Sequence, residues 1–209
     1  MLSFGKYRNE QIKDVVKKDK KYLEWLNTQP WFTIKFKELH HQTTHLLVQN
    51  QKPLEIGSNS FVVYTDGACS HNGSKKAKAG IGVHFSQKNE IKLEDLSLRL
   101  HIDNPTNNKA ELIAIEKALE QCILLNITSK IIIFTDSQYS LKCITLWYPD
   151  WVKKNKLENR KNIEILVRID PMVKKLNVEF QHIRAHTELQ DEHSLGNANA
   201  DRLATECLK

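Results

Sequence analysis

The 209-residue chain is 40% hydrophobic and 27% charged, which supports a packed core and excludes wholesale disorder. Its 31 Lys and Arg against 25 Asp and Glu leave a net charge of +6, a balance that suits polyanionic partners. No run comes near the roughly 18 apolar residues of a membrane helix, and the start MLSFGKYRNE has no apolar signal core, so an intracellular protein with no membrane contact is expected.

Residues 1–48 read as a small, basic, mainly helical domain. Ile12, Val15 and Val16 form one apolar face. Asp19 is placed to cap a second helix that carries Tyr22, Leu23 and Leu26. Phe32, Phe36, Leu39, Leu46 and Leu47 suggest a third helix. Residues 49–60, QNQKPLEIGSNS, are poor in apolar residues and contain Pro53 and Gly57, as a linker would.

From Phe61 the pattern changes. FVVYTD, AGIGVHF and LSLRLHI read as strands. AELIAIEKALEQCILL repeats apolar residues at helical spacing. KIIIFTD follows as a buried strand, SQYSLKCITLW and NIEILVRIDPMVKKL as helices, VEFQHIRA as a strand and NANADRLATECL as a closing helix. The order β-β-β-α-β-α-α-β-α makes residues 61–209 one α/β domain. Cys69, Cys122, Cys143 and Cys207 are scattered without a CxxC pair. That argues against a disulfide framework or a structural zinc site and fits a reducing compartment.

Two apolar runs end alike, on Asp66 and Asp136. A carboxylate after a buried strand emerges at the sheet edge where α/β folds collect ligands. Either acid alone could simply cap a turn. Glu111 opens an amphipathic helix and Asp201 lies near the start of another, where acids suit the helix dipole. Four acids at element ends in one domain make a stronger case. Clustered carboxylates repel unless cations sit between them, and hard divalent ions prefer oxygen ligands. Two such ions about 4 Å apart stabilise the entering and leaving oxygens of a phosphoryl displacement. The constellation points to a metal-dependent nuclease.

YTDGACSHNG, KAGIGV, TNNKAEL, TDSQY, ITLW, RAHT and GNANADRLA follow one another across residues 61–208. In this combination and order they resemble ribonuclease H of the cellular type I family. The resemblance implies a ribonuclease H-like fold, a mixed five-stranded sheet flanked by helices. It implies endonucleolytic cleavage of the RNA strand of an RNA/DNA hybrid, giving 5′-phosphate and 3′-hydroxyl ends. Asp66, Glu111, Asp136 and Asp201 would hold two Mg²⁺ ions, with Mn²⁺ as a substitute. His186 would assist proton movement or product release; without the resemblance it reads as an ordinary loop histidine.

The resemblance also implies substrate contacts. Cys69, Asn72, Asn107, Asn108 and Gln138 fall beside the RNA strand, whose 2′-hydroxyls distinguish it from DNA. Thr106 and Asn162 match a pocket for a phosphate of the DNA strand, although Asn104 stands where an arginine often completes it. Trp147 and Trp151 lie on a basic handle that continues through Lys153, Lys154, Lys156, Arg160 and Lys161. Trp147 is expected in the core, and Trp151 is open to sugar or base contact. For the asparagines, plain turn chemistry is the alternative.

FGKYRNEQIKDVVKKDKKYLEWL resembles a short helical module attached to assorted nucleases, and its basic character favours an accessory binding role over protein docking. The stretch between His186 and Asp201 is longer than the family usually has; ELQDEHSLG is expected to be a solvated acidic loop. A monomer is expected. The competing readings are another nuclease or transposase of the same fold, and a non-catalytic hybrid-binding protein, which the four intact acids argue against.

Overall fold

A computed structural model describes residues 2–27, 29–49, 60–184 and 191–209. The chain divides into two compact units, residues 1–55 and 56–209.

Among the described residues the first unit contains four helices: α1 (Ile12–Lys18), α2 (Lys20–Asn27), α3 (Pro30–Lys35) and α4 (Lys37–Gln49). Asp19 ends α1 and caps α2, accepting a hydrogen bond from the Tyr22 amide at 3.1 Å. The apolar series that predicts one third helix is broken at Phe36, whose backbone (φ −130°, ψ 49°) is not helical. The chain therefore turns between α3 and α4, and Phe32 and Leu47 both reach the core.

The second unit is built from β1 (Ser60–Ser70), β2 (Lys78–Phe85), β3 (Leu96–Leu100), α5 (Asn107–Leu124), β4 (Lys130–Thr135), α6 (Gln138–Lys142), a π-helical turn (Cys143–Trp147), α7 (Tyr148–Lys153), α8 (Ile163–Lys175), β5 (Val178–His182) and α9 (Glu192–Glu206). The five strands form one mixed sheet in the order β3-β2-β1-β4-β5. The pairs β1–β2 and β2–β3 are antiparallel, and β1–β4 and β4–β5 are parallel.

The central strands are buried on both faces, which is why their sequences read as continuous apolar runs. Alternation still sorts their side chains. Phe61, Val63, Ile131 and Ile133 enter the cluster beneath α5 and α8, while Val62, Tyr64, Ile132 and Phe134 pack with Ala200 of α9. Asp66 and Asp136 continue the even series toward the α9 side.

Four expectations need correction. FVVYTD is not the whole first strand: β1 runs on to Ser70 because residues 66–70 pair with β2 after β4 has stopped at Thr135. The helix of Glu111 is not amphipathic. It is covered by the sheet and by α8, so residues 110–116 are buried without a break. The segment SQYSLKCITLW is not one regular helix. Its π-helical turn puts Cys143 and Ile144 in the core and leaves Trp147 39% exposed, stacked on Trp151 at 6.4 Å. The fourth concerns the acidic loop, since Glu192, His193, Ser194, Leu195 and Gly196 are the opening of α9. Asp191 caps this helix by accepting from the amides of His193 and Ser194, both at 3.1 Å. The Tyr64 hydroxyl meets His193 Nδ1 at 3.0 Å and fastens its first turn to the sheet.

Helix α9 lies close on β2 because Gly82 has no side chain; a Cβ there would sit 2.0 Å from the Ala200 carbonyl oxygen. Gly82→Ala is therefore expected to force α9 off the sheet and to cost about 1–3 kcal/mol of stability in urea unfolding. An unchanged midpoint would show that the helix can shift freely.

Candidate metal centre

Three elements deliver three carboxylates to one point. Asp66 comes from β1, Glu111 from the second turn of α5, and Asp136 from the residue after β4. One oxygen of each lies within 4.8 Å of the others. Gly67 makes this approach possible, because a Cβ on it would stand 2.2 Å from the Glu111 amide nitrogen. Asp201 lines the same open cavity of about 680 Å³. It is not at the start of its helix, as its sequence context suggests, but ten residues into α9.

The group is tied down by hydrogen bonds that do not neutralise it. The Gly67 amide donates to Asp66 Oδ1 at 2.8 Å. Asn107 Nδ2 donates to Glu111 Oε1 at 3.4 Å, and Asn197 Nδ2 donates to Asp136 Oδ2 at 3.4 Å. The Asp136 carbonyl accepts from the Gln138 amide and meets His182 Nε2, both at 3.1 Å. Glu111 Oε2 is buried and has no hydrogen-bond partner among the described residues. No lysine or arginine pairs with any of the four acids among the described residues.

Burial, and then the neighbouring Asp66 and Asp136, push the Glu111 carboxyl up to about 10. Burial also raises Asp66, helped by the charges of Asp136 and Asp201. Both shifts oppose ionisation, and both have the cause that a cation would remove. An all-oxygen donor set, an orphaned buried oxygen and no lysine or arginine paired with the acids among the described residues fit a hard divalent cation.

A second cavity of about 590 Å³ includes Asn72, Asn104, Thr106, Asn108, Lys161 and Asn162, and Asn107 lines both cavities. The Thr106 hydroxyl caps α5 by accepting from the Lys109 amide at 3.2 Å. Asn72 Oδ1 accepts from the Asn107 amide at 3.3 Å. Asn162 has left-handed backbone (φ 59°) and donates from Nδ2 to the Tyr139 hydroxyl at 2.9 Å. Turn chemistry and cavity lining are thus combined in the same residues. Lys161 brings a cation that the pocket lacks at Asn104.

Cys69 lines the carboxylate cavity, whereas Gln138 and Trp151 line neither cavity. Gln138 is exposed at the start of α6. Trp151 is half-buried, with the Arg160 guanidinium 4.9 Å from its ring. His186 lies outside the described residues. Sequence reasoning missed Asn197, Lys161 in the pocket, and His182. Asn197 was within reach, since it precedes Asp201 by one helical turn and shares its face.

The fold and the carboxylate cluster define an α/β protein with a candidate metal centre at the edge of a mixed sheet. The family model described as RNase H matches residues 58–209, and the chain belongs to that family. A second model, described as exodeoxyribonuclease X-like C-terminal, matches residues 2–28. Ribonuclease H1 of Mus musculus is 32% identical over 177 residues, covering 83% of this chain but 59% of that protein. Ribonuclease H of Orientia tsutsugamushi is 36% identical over 148 residues, covering 68% of this chain and 79% of that protein. The chain spans 50% to 59% of the length of its mouse, rat and human relatives. The solved PFV RNase H domain is similar in structure, with a TM-score of 0.60, 29% identity, and coverage of 72% of this chain and 95% of that one.

The raised Glu111 pKa has a defined sign. A carboxyl held above its ordinary 4.5 stabilises the fold most below that value, and the contribution is lost as pH rises toward about 10. In metal-free protein Glu111 should therefore contribute a decline in melting temperature from about pH 4.5 to mildly alkaline pH. Glu111→Gln should flatten that decline and melt above wild type at alkaline pH in EDTA. Parallel melting profiles for the two proteins would refute the assignment.

Proposed function

We propose that the protein is a cellular type I ribonuclease H that cuts the RNA strand of RNA/DNA hybrids endonucleolytically, leaving 5′-phosphate and 3′-hydroxyl ends. The observation that carries this is the convergence of Asp66, Glu111 and Asp136 within 4.8 Å, with Asp201 in the same cavity. We assign two Mg²⁺ ions, replaceable by Mn²⁺, to these four acids. Such ions would supply charge neutralisation at the scissile phosphate and at the oxygens entering and leaving it.

The protein's own groups do the positioning. Asn107 Nδ2 turns Glu111 toward the cluster, and Asn197 Nδ2 does the same for Asp136. Cys69, Asn72, Asn107, Asn108 and Gln138 are assigned to the RNA strand, where 2′-hydroxyls are read. Thr106 and Asn162 are assigned to a DNA-strand phosphate, with Lys161 supplying its charge. Because the Asn162 amide is held by Tyr139, whose phenol burial pushes up to about 12, that grip is set before substrate arrives. Trp151 and Arg160 are assigned to the duplex beyond the cut. His186 is assigned to proton movement or product release.

Residues 61–209 would be the catalytic domain, 49–60 a linker and 1–48 an accessory module. A monomer acting inside the cell is consistent with four free cysteines. No helix among the described residues is long and apolar enough to cross a membrane.

Cleavage of a labelled hybrid with added Mg²⁺, with duplex DNA and duplex RNA as controls, tests the proposal. Asp136→Asn keeps the side chain's shape and removes a charged ligand, so cleavage should fall nearly to zero while hybrid binding is kept or tightened. Turnover like that of wild type would sink the assignment.

Removing residues 1–55 should leave an active nuclease with weaker binding. Its log–log salt dependence should flatten by about one unit for each phosphate that is no longer neutralised. Unchanged affinity and slope would point to protein docking.

A further inference from the structure

The N-terminal unit leaves two indoles partly exposed. Trp25 is 53% exposed and Trp31 38% exposed, although the core they flank has only eight buried apolar residues among the described residues. Trp31 packs on Phe4, Phe32 and Phe36 and Trp25 on Tyr22, so each indole offers only its outer part. Phe4 packs edge-on against Trp31 at 5.1 Å and Phe32 at 5.8 Å. Tyr7 packs on Tyr22 at 5.1 Å, and its hydroxyl donates to Asp19 at 2.9 Å. Gly5, in left-handed conformation (φ 74°), lets this loop pass the Tyr22 hydroxyl, which a Cβ would strike at 2.3 Å. FGKY is thus a staple that fastens the N-terminal loop to α2. Within YLEWL, Leu23 and Leu26 are core and Tyr22 holds the staple. Trp25 is the one large apolar side chain of that run turned outward.

Each exposed indole has an exposed lysine one helical turn away, Lys21 before Trp25 and Lys35 after Trp31. Three acids of the unit pair with other lysines, Asp19 with Lys6, Glu10 with Lys18 and Glu24 with Lys20, and Glu38 accepts a hydrogen bond from Gln42. Lys21 and Lys35 have no ion-pair partner among the described residues. Trp31 contacts Phe4, and Trp25 contacts Tyr22, on which Tyr7 packs, so both indoles connect to the Phe4–Tyr7 loop.

We propose that this face binds an unpaired nucleic-acid strand, with bases stacked on Trp25 and Trp31 and phosphates met by Lys21 and Lys35. Flat aromatic surface alternating with uncompensated cations is the recognition chemistry of single strands. A protein partner would want the apolar surface without the surplus charge. The inference deepens the hybrid-cleavage reading by adding a site for the single strand that extends from a hybrid, but its test does not depend on cleavage.

The full chain is titrated in EDTA against a fluorescent hybrid with an unpaired tail, and against the same hybrid made blunt. The tail should raise wild-type affinity about tenfold. Trp25→Ala and Lys21→Glu should each remove most of that gain and leave blunt-hybrid affinity within about twofold. Lys21→Glu touches no packed group, so it keeps the test decisive where a melt shows that Trp25→Ala has unfolded the unit. A tail that adds nothing to wild type, or a gain that survives Lys21→Glu, overturns the proposal and leaves protein docking as the use of this face. Cleavage of blunt hybrid with Mg²⁺ is measured alongside. Its absence in wild type would defeat the hydrolase reading without touching the strand-binding result.

Discussion

Buried carboxylates that repel one another cannot hold themselves together; the backbone must hold them. Asp66 and Glu111 are both nearly inaccessible, and Asp136 stands within 4.8 Å of each. Glu111 Oε2 gives up its water without gaining a partner among the described residues. Such an arrangement costs stability when empty, and it persists because the elements that carry the acids are fixed by apolar packing elsewhere.

Much of the rest of the second unit follows from that requirement. Strand β1 continues past the end of β4, which opens a gap at the sheet edge just where Asp66 and Asp136 stand. Helix α5 is enclosed by the sheet on one side and α8 on the other, so Glu111 cannot withdraw. The buried Glu116 on the same helix is gripped by Arg168 of α8 through two hydrogen bonds, which resists rotation of α5. Helix α9 starts at Asp191, is fastened by His193 to Tyr64 and by Glu192 to Lys88, and so brings Asn197 and Asp201 to the cluster at a set height. Gly67 and Gly82 set the two distances at which these helices ride on the sheet.

The parts of this that local sequence reveals are those that local physics determines. Continuous apolar runs disclosed the central strands, and acids closing two of them disclosed half the cluster. Asp19 was legible as a cap because capping needs only its neighbours. What escaped was non-local. Nothing in FVVYTD tells that β2 outlasts β4 as a partner of β1. Nothing in ELQDEHSLG reveals that a tyrosine more than a hundred residues earlier will dock His193 and that residues 192–196 will be helical. Trp147 looks like a core residue until the π-helical turn reassigns the core to Cys143 and Ile144. Asn197 and Lys161 depend on which side of a helix or pocket the fold presents, and spacing showed only the first.

The central claim is that Glu111 and Asp66 are held partly protonated by burial and the neighbouring acids, and that a divalent cation displaces those protons. Calorimetric titration of Mg²⁺ into the metal-free chain near neutral pH, repeated in buffers of different ionisation enthalpy, counts the protons released. With Glu111 pushed up to about 10 and Asp66 also raised, binding should release about one proton or more per protein, and the number should fall as pH rises. Binding with no proton release would contradict the account, because the acids would then be ionised already and the fold would not be holding them against their charge.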